Sequence, residues 1–501
     1  MPRTVSAARH PRTADSFEAW VWRWRALILL IVTIAARAAT FGDPIVQVDE
    51  EFYLTVARRM LHGDLLYVDV WDRKPVGLFL LYATVAWLPP AAAVLGYQLL
   101  ASGFVWATAL LAAALADRAG WRRGAVVGAV LYVLWLDLAD GQGGQAPVFY
   151  DLLTAVAAWT TMRASEVGIG ARARLRLGLV AMLVMGCALQ VKYSVVFEGV
   201  FFGIWLLWVD WRSSRSIAAV LARAAAWSAA ALVPTALALG SYAAIGREQP
   251  FLYANFLSIL HRGSDPWDEQ RRNGLVAIGL LLPLVLLALA GIDRAGDRGT
   301  AHRRWFLHAW LTAAILGLVV FGSWFNHYTL PVMLAAAICA AGGFARAGGT
   351  GRFLRAVAPA LCVLAFVAGQ AICLGERLHR GTRAQFMAVA RAVGTGPGSL
   401  YVYSSSPMLY TFSGRPALTP YLMPAHLLLG REKGAIGVDQ RAEVARVMRS
   451  HPATVVVQSW DDFERPDLRP MVLAALARGR YVRVAMLPVG HNVQTVFRAQ
   501  R

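Results

Sequence analysis

Three carboxylates stand in a row in Val48-Asp49-Glu50-Glu51-Phe52-Tyr53-Leu54, and later in the same stretch Asp72-Arg73-Lys74-Pro75 sets two cations beside a fourth. A carboxylate near a hydroxyl or amine can orient it and accept its proton. Lys or Arg in a partly dry place stabilises a departing phosphate. The first run leads into an amphipathic segment with Phe52, Val56 and Met60 on one side and Arg58 and Arg59 on another. The carboxylates are therefore expected at the start of a helix lying on the membrane surface. Lysine is scarce, with only Lys74, Lys192 and Lys433 among 49 basic residues. Lys192 lies in Gln190-Val191-Lys192-Tyr193-Ser194, between two apolar runs too close for a true loop, where it either snorkels to headgroups or meets a phosphate. Further candidates are Asp137 and Asp140, followed by Gly141–Gln145, and Trp324-Phe325-Asn326-His327-Tyr328 ahead of another apolar run. Asp151 and Glu198 lie one turn into apolar runs, where a carboxyl is costly and functional by default, and Arg37, near the end of the first run, either snorkels or pairs with one of them. Tyr253-Ala254-Asn255-Phe256 and His261-Arg262-Gly263 are weaker acceptor or lipid contacts.

The elements that must position these residues are membrane helices. The chain of 501 residues is 57% hydrophobic and 16% charged, with a mean hydropathy of +0.49. Apolar runs long enough to cross a ~30 Å hydrocarbon core recur from Arg25 to about Leu374. Spans are expected near 25–41, 92–116, 124–138, 147–163, 175–191, 194–209, 217–245, 274–292, 304–322, 327–345 and 353–374. The shorter run Val76–Leu88 ends in Pro89-Pro90 and suits an interfacial or re-entrant helix. With that run not crossing, the arginine clusters Arg118/Arg122/Arg123, Arg163/Arg172/Arg174/Arg176, Arg212/Arg215, Arg294/Arg298/Arg303/Arg304 and Arg346/Arg352/Arg355 all face inward with the N-terminal arginines, as the positive-inside rule requires. Ala26–Phe41 reads as a retained first span rather than a cleaved signal. The expected fold is mostly α: a polytopic helical membrane protein of about eleven transmembrane helices over 1–375, whose first outer loop is 42–91. A small α/β domain of the outer face follows over 376–501, with strand-like runs Leu400–Tyr403, Thr454–Gln458, Tyr481–Leu487 and Val493–Arg498.

The net charge of +19 is spread over short loops rather than drawn into a basic stripe with aromatics, which argues against nucleic acid as a partner. Four cysteines in apolar runs have no metal-ligand spacing, and no other metal constellation or cofactor motif is visible. An outer membrane-surface site with carboxylates, cations for a phosphate and a slot for a lipid tail matches the needs of a sugar carried on a polyprenyl phosphate. A transporter or flippase, the rival reading, is expected to show discontinuous helices in two related halves. No internal repeat is evident. A relative that binds lipid carriers without catalysis is a third reading.

Asp49-Glu50, with Phe52-Tyr53, Ala57-Arg58-Arg59, Gly63 and Tyr67-Val68-Asp69, resembles the first loop of the membrane glycosyltransferases of the GT-C class, the bacterial protein-mannosyltransferase-like and aminoarabinose-transferase-like enzymes above all. Asp72-Arg73-Lys74-Pro75 is similar to their Asp-His-Lys-Pro-Pro segment, with Arg73 and Val76 departing from it. Phe325-Asn326-His327-Tyr328-Thr329-Leu330-Pro331 resembles a late-span segment of theirs, and Leu400–Pro416 the start of their soluble domain. The resemblance implies an inner-membrane, multi-pass glycosyltransferase with its N-terminus in the cytoplasm, acting on a polyprenyl-phosphate-linked sugar donor and an envelope glycan, lipid or protein acceptor. It implies Asp49 as catalytic base with Glu50 beside it, and Lys74 on the carrier phosphate. Arg58, Arg73, Asp140, Lys192, His327 and Tyr328 are the further expected substrate contacts. Pro147 stands where many relatives carry an acidic residue, so Asp140 or Asp151 is the candidate replacement. Glu51 lies beyond the matched pair and is expected to matter little.

Overall fold

The computed structural model describes residues 13–292, 298–459 and 464–500. The arginines before residue 13 and Arg294, counted above among the inward charges, lie outside the described residues. The apolar runs form helices. The first, α1 (Thr13–Arg37), leads to two helices of the first long connection, α2 (Val48–Leu61) and α3 (Val76–Ala86). Then come α4 (Pro90–Arg118), α5 (Arg122–Leu136), α6 (Ala146–Ala164), α7 (Ala171–Leu189), α8 (Val196–Ser214) and α9 (Ile217–Ala244). A second long connection holds the short α10 (Glu248–Leu252) and a π-turn over Tyr253–Leu257. The helical part closes with α11 (Trp267–Ala290), α12 (Arg298–Phe321), α13 (Leu330–Ala345) and α14 (Gly348–Arg380).

Eight described helices are long and apolar enough to cross a bilayer, and the protein is a multi-pass membrane protein. The three remaining expected spans, α5, α6 and α7, are helices of 15, 19 and 19 residues. They are the least membrane-like for plain reasons. The α5 helix reaches only about 22 Å at ~1.5 Å per residue, and α7 opens on Arg172, Arg174 and Arg176. Innermost is α13, buried from Val332 through Phe344. Small residues let α5 approach it: a Cβ on Gly128 would lie 2.6 Å from the Ala337 carbonyl oxygen. In lipid, where apolar burial does not drive helices together, such backbone contact is a main source of cohesion.

With only 11 residues, α3 is far too short to span. Pro75 precedes it, and Pro90 opens α4 at the first helical position, where a missing N–H costs nothing. Arg58, in the last turn of α2, donates to the carbonyls of Ala86 (3.0 Å) and Leu88 (2.7 Å) and so closes the far end of α3.

Beyond α14 the chain forms α15 (Arg383–Val393), β1 (Leu400–Ser404), α16 (Met408–Ser413), α17 (Pro424–Leu428), α18 (Gln440–Arg449), β2 (Thr454–Gln458), α19 (Leu468–Arg478), β3 (Tyr481–Val489) and β4 (Asn492–Ala499). The sheet order is β1-β2-β4-β3, with β1 and β2 parallel and the other pairs antiparallel. This part sits directly on α2 and the 71–75 segment. The Trp71 amide donates to the Pro420 carbonyl at 2.9 Å, the Trp71 ring packs edge-on to His426, and the hydroxyls of Thr55 and Thr411 pair at 2.9 Å.

Candidate active site

Successive residues of a helix point about 100° apart, so the three carboxylates opening α2 go to three different places. Asp49 faces a large cavity of about 1620 Å³ between the helices and the C-terminal part. Glu50 turns back into the helical bundle and is fully buried. Glu51 turns toward α14 and the C-terminal part, where Arg380 lies 3.1 Å away and the Ser406 hydroxyl donates to it.

Around Asp49 the cations expected from the sequence converge. Lys74 Nζ lies 3.5 Å from Asp49 Oδ1 and 3.5 Å from Asp72 Oδ2, and 5.0 Å above the Tyr53 ring. Gln145 Nε2 donates to the other Asp49 oxygen at 3.4 Å. Asp72 is almost fully buried and accepts the amides of Arg73 (2.6 Å) and Lys74 (3.3 Å), the side-chain-to-backbone turn typical of aspartate. The Tyr67 hydroxyl holds the Lys74 carbonyl at 2.9 Å. Lys192, at the short link before α8, stacks 3.9 Å over the Tyr328 ring, which lies 4.4 Å from the His327 ring. Asp49, Lys74, Lys192, His327, Tyr328 and Asp140 all line the cavity. Its lining mixes apolar residues of the helices, Leu189, Val196, Leu232 and Phe321 among them, with polar residues of the C-terminal part such as Ser404, Ser406, Gln458 and Gln494. Among the described residues, no group of three or more His, Cys, Asp or Glu is arranged to hold a metal ion.

The charges divide this site into distinct protonation states. Burial alone would raise the Asp49 pKa, but Lys74, then His327 and Lys192, outweigh it and hold the carboxyl well below its usual range. Burial likewise opposes the Lys74 charge, and Asp49 and Asp72 reverse that and raise it. Lys192 is the opposite case. Its burial outweighs the pull of Asp49 and brings the ammonium down to about 7. Glu50 is raised to about 7 by burial, and Asp140 to about 6 by burial and the neighbouring Glu376.

Three expected site residues have other engagements. Glu50 does not reach the cavity; it packs under the 141–145 loop, where a Cβ on Gly143 would lie 2.1 Å from its carboxylate oxygens. Arg58 is turned away to α3, its guanidinium bound to backbone carbonyls. Arg73 does line the cavity, but both its Nη atoms are taken by Glu432, at 3.1 and 2.5 Å. Asp151 and Glu198 are buried away from it, Asp151 accepting from the Tyr132 hydroxyl at 3.1 Å. Of the two candidate second-loop carboxylates, only Asp140 lines the cavity. Arg37 pairs with neither buried carboxyl as its hydrogen-bond partner. It donates to the carbonyls of Gly141 (2.6 Å) and Gly143 and to Ser102 (3.2 Å), fixing the loop that carries Gln145.

Sequence reasoning passed over Glu51, Arg380, His426 and Glu432, all of which line the cavity. Glu51 stood in plain view beside Asp49. Glu432 sits in Gly430-Arg431-Glu432-Lys433, which reads as a solvated loop.

The fold recurs in known structures. ArnT from Cupriavidus metallidurans bound to undecaprenyl phosphate is similar over 95% of this chain and 98% of its own, with a TM-score of 0.61 at 15% identity. The chain has the GT-C fold. The apo state of the same ArnT gives a TM-score of 0.57 at 16% identity, over 96% of this chain and 98% of that one. The Archaeoglobus fulgidus oligosaccharyltransferase tethered with an acceptor peptide shares the GT-C fold more distantly, at a TM-score of 0.51 and 11% identity over 88% and 70% of the two chains. No sequence-family model matches the chain, and no curated protein matches it. The kinship is thus one of three-dimensional form.

Proposed function

We propose that the protein transfers a sugar from a polyprenyl-phosphate carrier to an acceptor on the outer face of the membrane. One observation carries the reading: Asp49 shares a single cavity with Lys74 and Lys192, and the helices add apolar residues such as Leu189, Val196 and Leu232 to its lining. A lipid-borne donor needs cations and apolar surface together, and ArnT, with the same fold, has been crystallised with undecaprenyl phosphate. In the reaction the acceptor oxygen or nitrogen attacks the anomeric carbon as the bond from that carbon to the phosphate oxygen breaks. The acceptor proton passes to Asp49, and the polyprenyl phosphate leaves with the bonding electrons, its new charge met by Lys74 and Lys192. Tyr328, His327 and Asp140 line the space around the reacting groups. Glu50 serves this centre from behind, supporting the loop that carries Gln145.

The N-terminus is assigned to the cytoplasm, and residues 376–501 to the outer face as a domain closing the cavity. The inward arginine clusters support this orientation. Arg122→Cys should resist an impermeant thiol reagent in intact cells; its labelling there would reverse the orientation. For the reaction itself, mass analysis of envelope glycans and lipid-linked sugars in a strain lacking the protein is decisive. One sugar modification should vanish while its lipid-linked donor accumulates. An unchanged profile on both counts would refute the transferase reading.

A further inference from the structure

Lys74, Lys192, Arg73 and Arg262 all line the cavity that holds Asp49, and Lys192 lies over the Tyr328 ring. The donor is a phosphodiester with one negative charge, and the product monoester carries nearly two at neutral pH. The structure divides the four unequally. Lys74 and Lys192 stand by Asp49, whereas Arg73 and Arg262 are both bound to one buried carboxylate from the C-terminal part, Glu432. Glu432 Oε1 takes Arg73 Nη1 at 3.1 Å and Arg262 Nε at 3.1 Å, and Oε2 takes Arg73 Nη2 at 2.5 Å. Arg262 is further paired with Asp265 at 2.9 Å. All these groups line the same cavity as Lys74.

We infer that Glu432 is an internal counter-anion that withholds Arg73 and Arg262 from the carrier phosphate, keeping the grip on the leaving polyprenyl phosphate loose enough for turnover. The inference rests on the proposed transferase reading and adds a positioning residue to it. Charge-assisted, forked contacts from arginine are among the strongest a phosphate can receive. A site offering two of them besides two lysines would hold its dianionic product far more tightly than its monoanionic donor. Tight product binding of that kind slows release, the step that limits many enzymes. An acidic partner already seated on the forks makes any phosphate that approaches them compete for each hydrogen bond.

The test uses the full-length protein in nanodiscs and undecaprenyl phosphate as the probe, with thermal unfolding followed in parallel. Wild type should bind the probe, and Lys74→Ala should bind it much more weakly. A wild type that does not bind, or a Lys74→Ala protein that binds equally well, sinks the carrier reading itself. Glu432→Gln should bind undecaprenyl phosphate roughly tenfold more tightly than wild type, because two guanidinium groups lose their competing anion. A merely structural Glu432 predicts the opposite sign, since loosening the 71–75 segment weakens binding. Unchanged or weaker binding by Glu432→Gln, with Lys74→Ala impaired, overturns the counter-anion role alone. Should Glu432→Gln fail to insert, Glu432→Asp keeps the charge for folding but shortens the fork, and is read by the same sign.

Discussion

Asp49→Asn separates base catalysis from everything else the residue does. Asparagine keeps the size, and its carbonyl oxygen still accepts from Gln145 Nε2, which now lies 3.4 Å from an Asp49 oxygen. Lys74 loses one of two carboxylates at 3.5 Å and retains Asp72. The first turn of α2 keeps two of its three acidic residues, so the loss of helix-dipole stabilisation is about 0.3–1 kcal/mol. The fold should therefore survive. Transfer should fall by roughly 10²–10⁴-fold, the usual contribution of a positioned general base, or about 3–5 kcal/mol of barrier. Carrier binding should move the other way. With one anion fewer beside Lys74, undecaprenyl phosphate should bind as tightly as to wild type or severalfold tighter. Transfer is measured as turnover of the lipid-linked donor accumulated in the deletion strain, and binding in nanodiscs. Transfer within tenfold of wild type would refute the base assignment. A loss of transfer matched by an equal loss of carrier binding would refute it too, since the residue would then be holding the site together.

Two further outcomes follow from the geometry. Lys192, brought down to about 7 by burial, is charged below that pH and neutral above it, so undecaprenyl phosphate affinity should fall as pH rises from 6 to 8.5; Lys192→Arg, charged throughout, should flatten the fall, and an identical pH profile in the variant would exclude Lys192 from phosphate binding. Gly144→Ala should lower the thermal unfolding midpoint by the equivalent of about 1–3 kcal/mol, since its Cβ would meet the buried Tyr82 hydroxyl at 2.3 Å and the Tyr97 ring at 3.0 Å, and an unshifted midpoint would show that the 141–145 loop yields.

What the sequence made legible is what short-range chemistry dictates. Long apolar runs have no choice but to become helices in a bilayer, and Pro75 and Pro90 bracket α3 whatever the rest of the chain does. Asp49 stood out because its run opens an amphipathic helix and resembles a known first loop, and Lys74 and Lys192 because lysine is scarce. What escaped was the direction of side chains and the identity of distant partners. Glu50 read as a companion of Asp49 and Glu51 as a bystander, yet a rotation of about 100° per residue sends one under the glycine loop and the other to Arg380. Arg58 and Arg73 read as free cations because their partners are remote or are backbone. Arg73 meets Glu432 across 359 residues of sequence, and Arg58 is spent on carbonyls that carry no sequence signal. Arg37 read as snorkelling or pairing with a buried carboxyl, while the loop carbonyls it serves were invisible until the loop was placed.

The low pKa of Asp49 looks at first like an argument against its role. A carboxylate held below its usual range by nearby cations is a weak base, and base catalysis improves as the pKa approaches the working pH. On the proposed reading, though, the cations responsible are the ones that the donor phosphate claims. Lys74 has only Asp49 and Asp72 within 4 Å as ionic partners among the described residues. A bound phosphate adds a negative charge to that group, draws on Lys74 and Lys192, and repels Asp49 directly. Each effect raises the proton affinity of Asp49, and the exclusion of water by the lipid-borne donor strengthens both. On the proposed reading, Asp49 therefore gains strength as a base when the donor is in place. Without the donor phosphate, a stray water or acceptor hydroxyl would meet a carboxylate poorly suited to deprotonate it. On that reading, the ion pair that keeps Lys74 ready for phosphate also restrains the base until phosphate arrives.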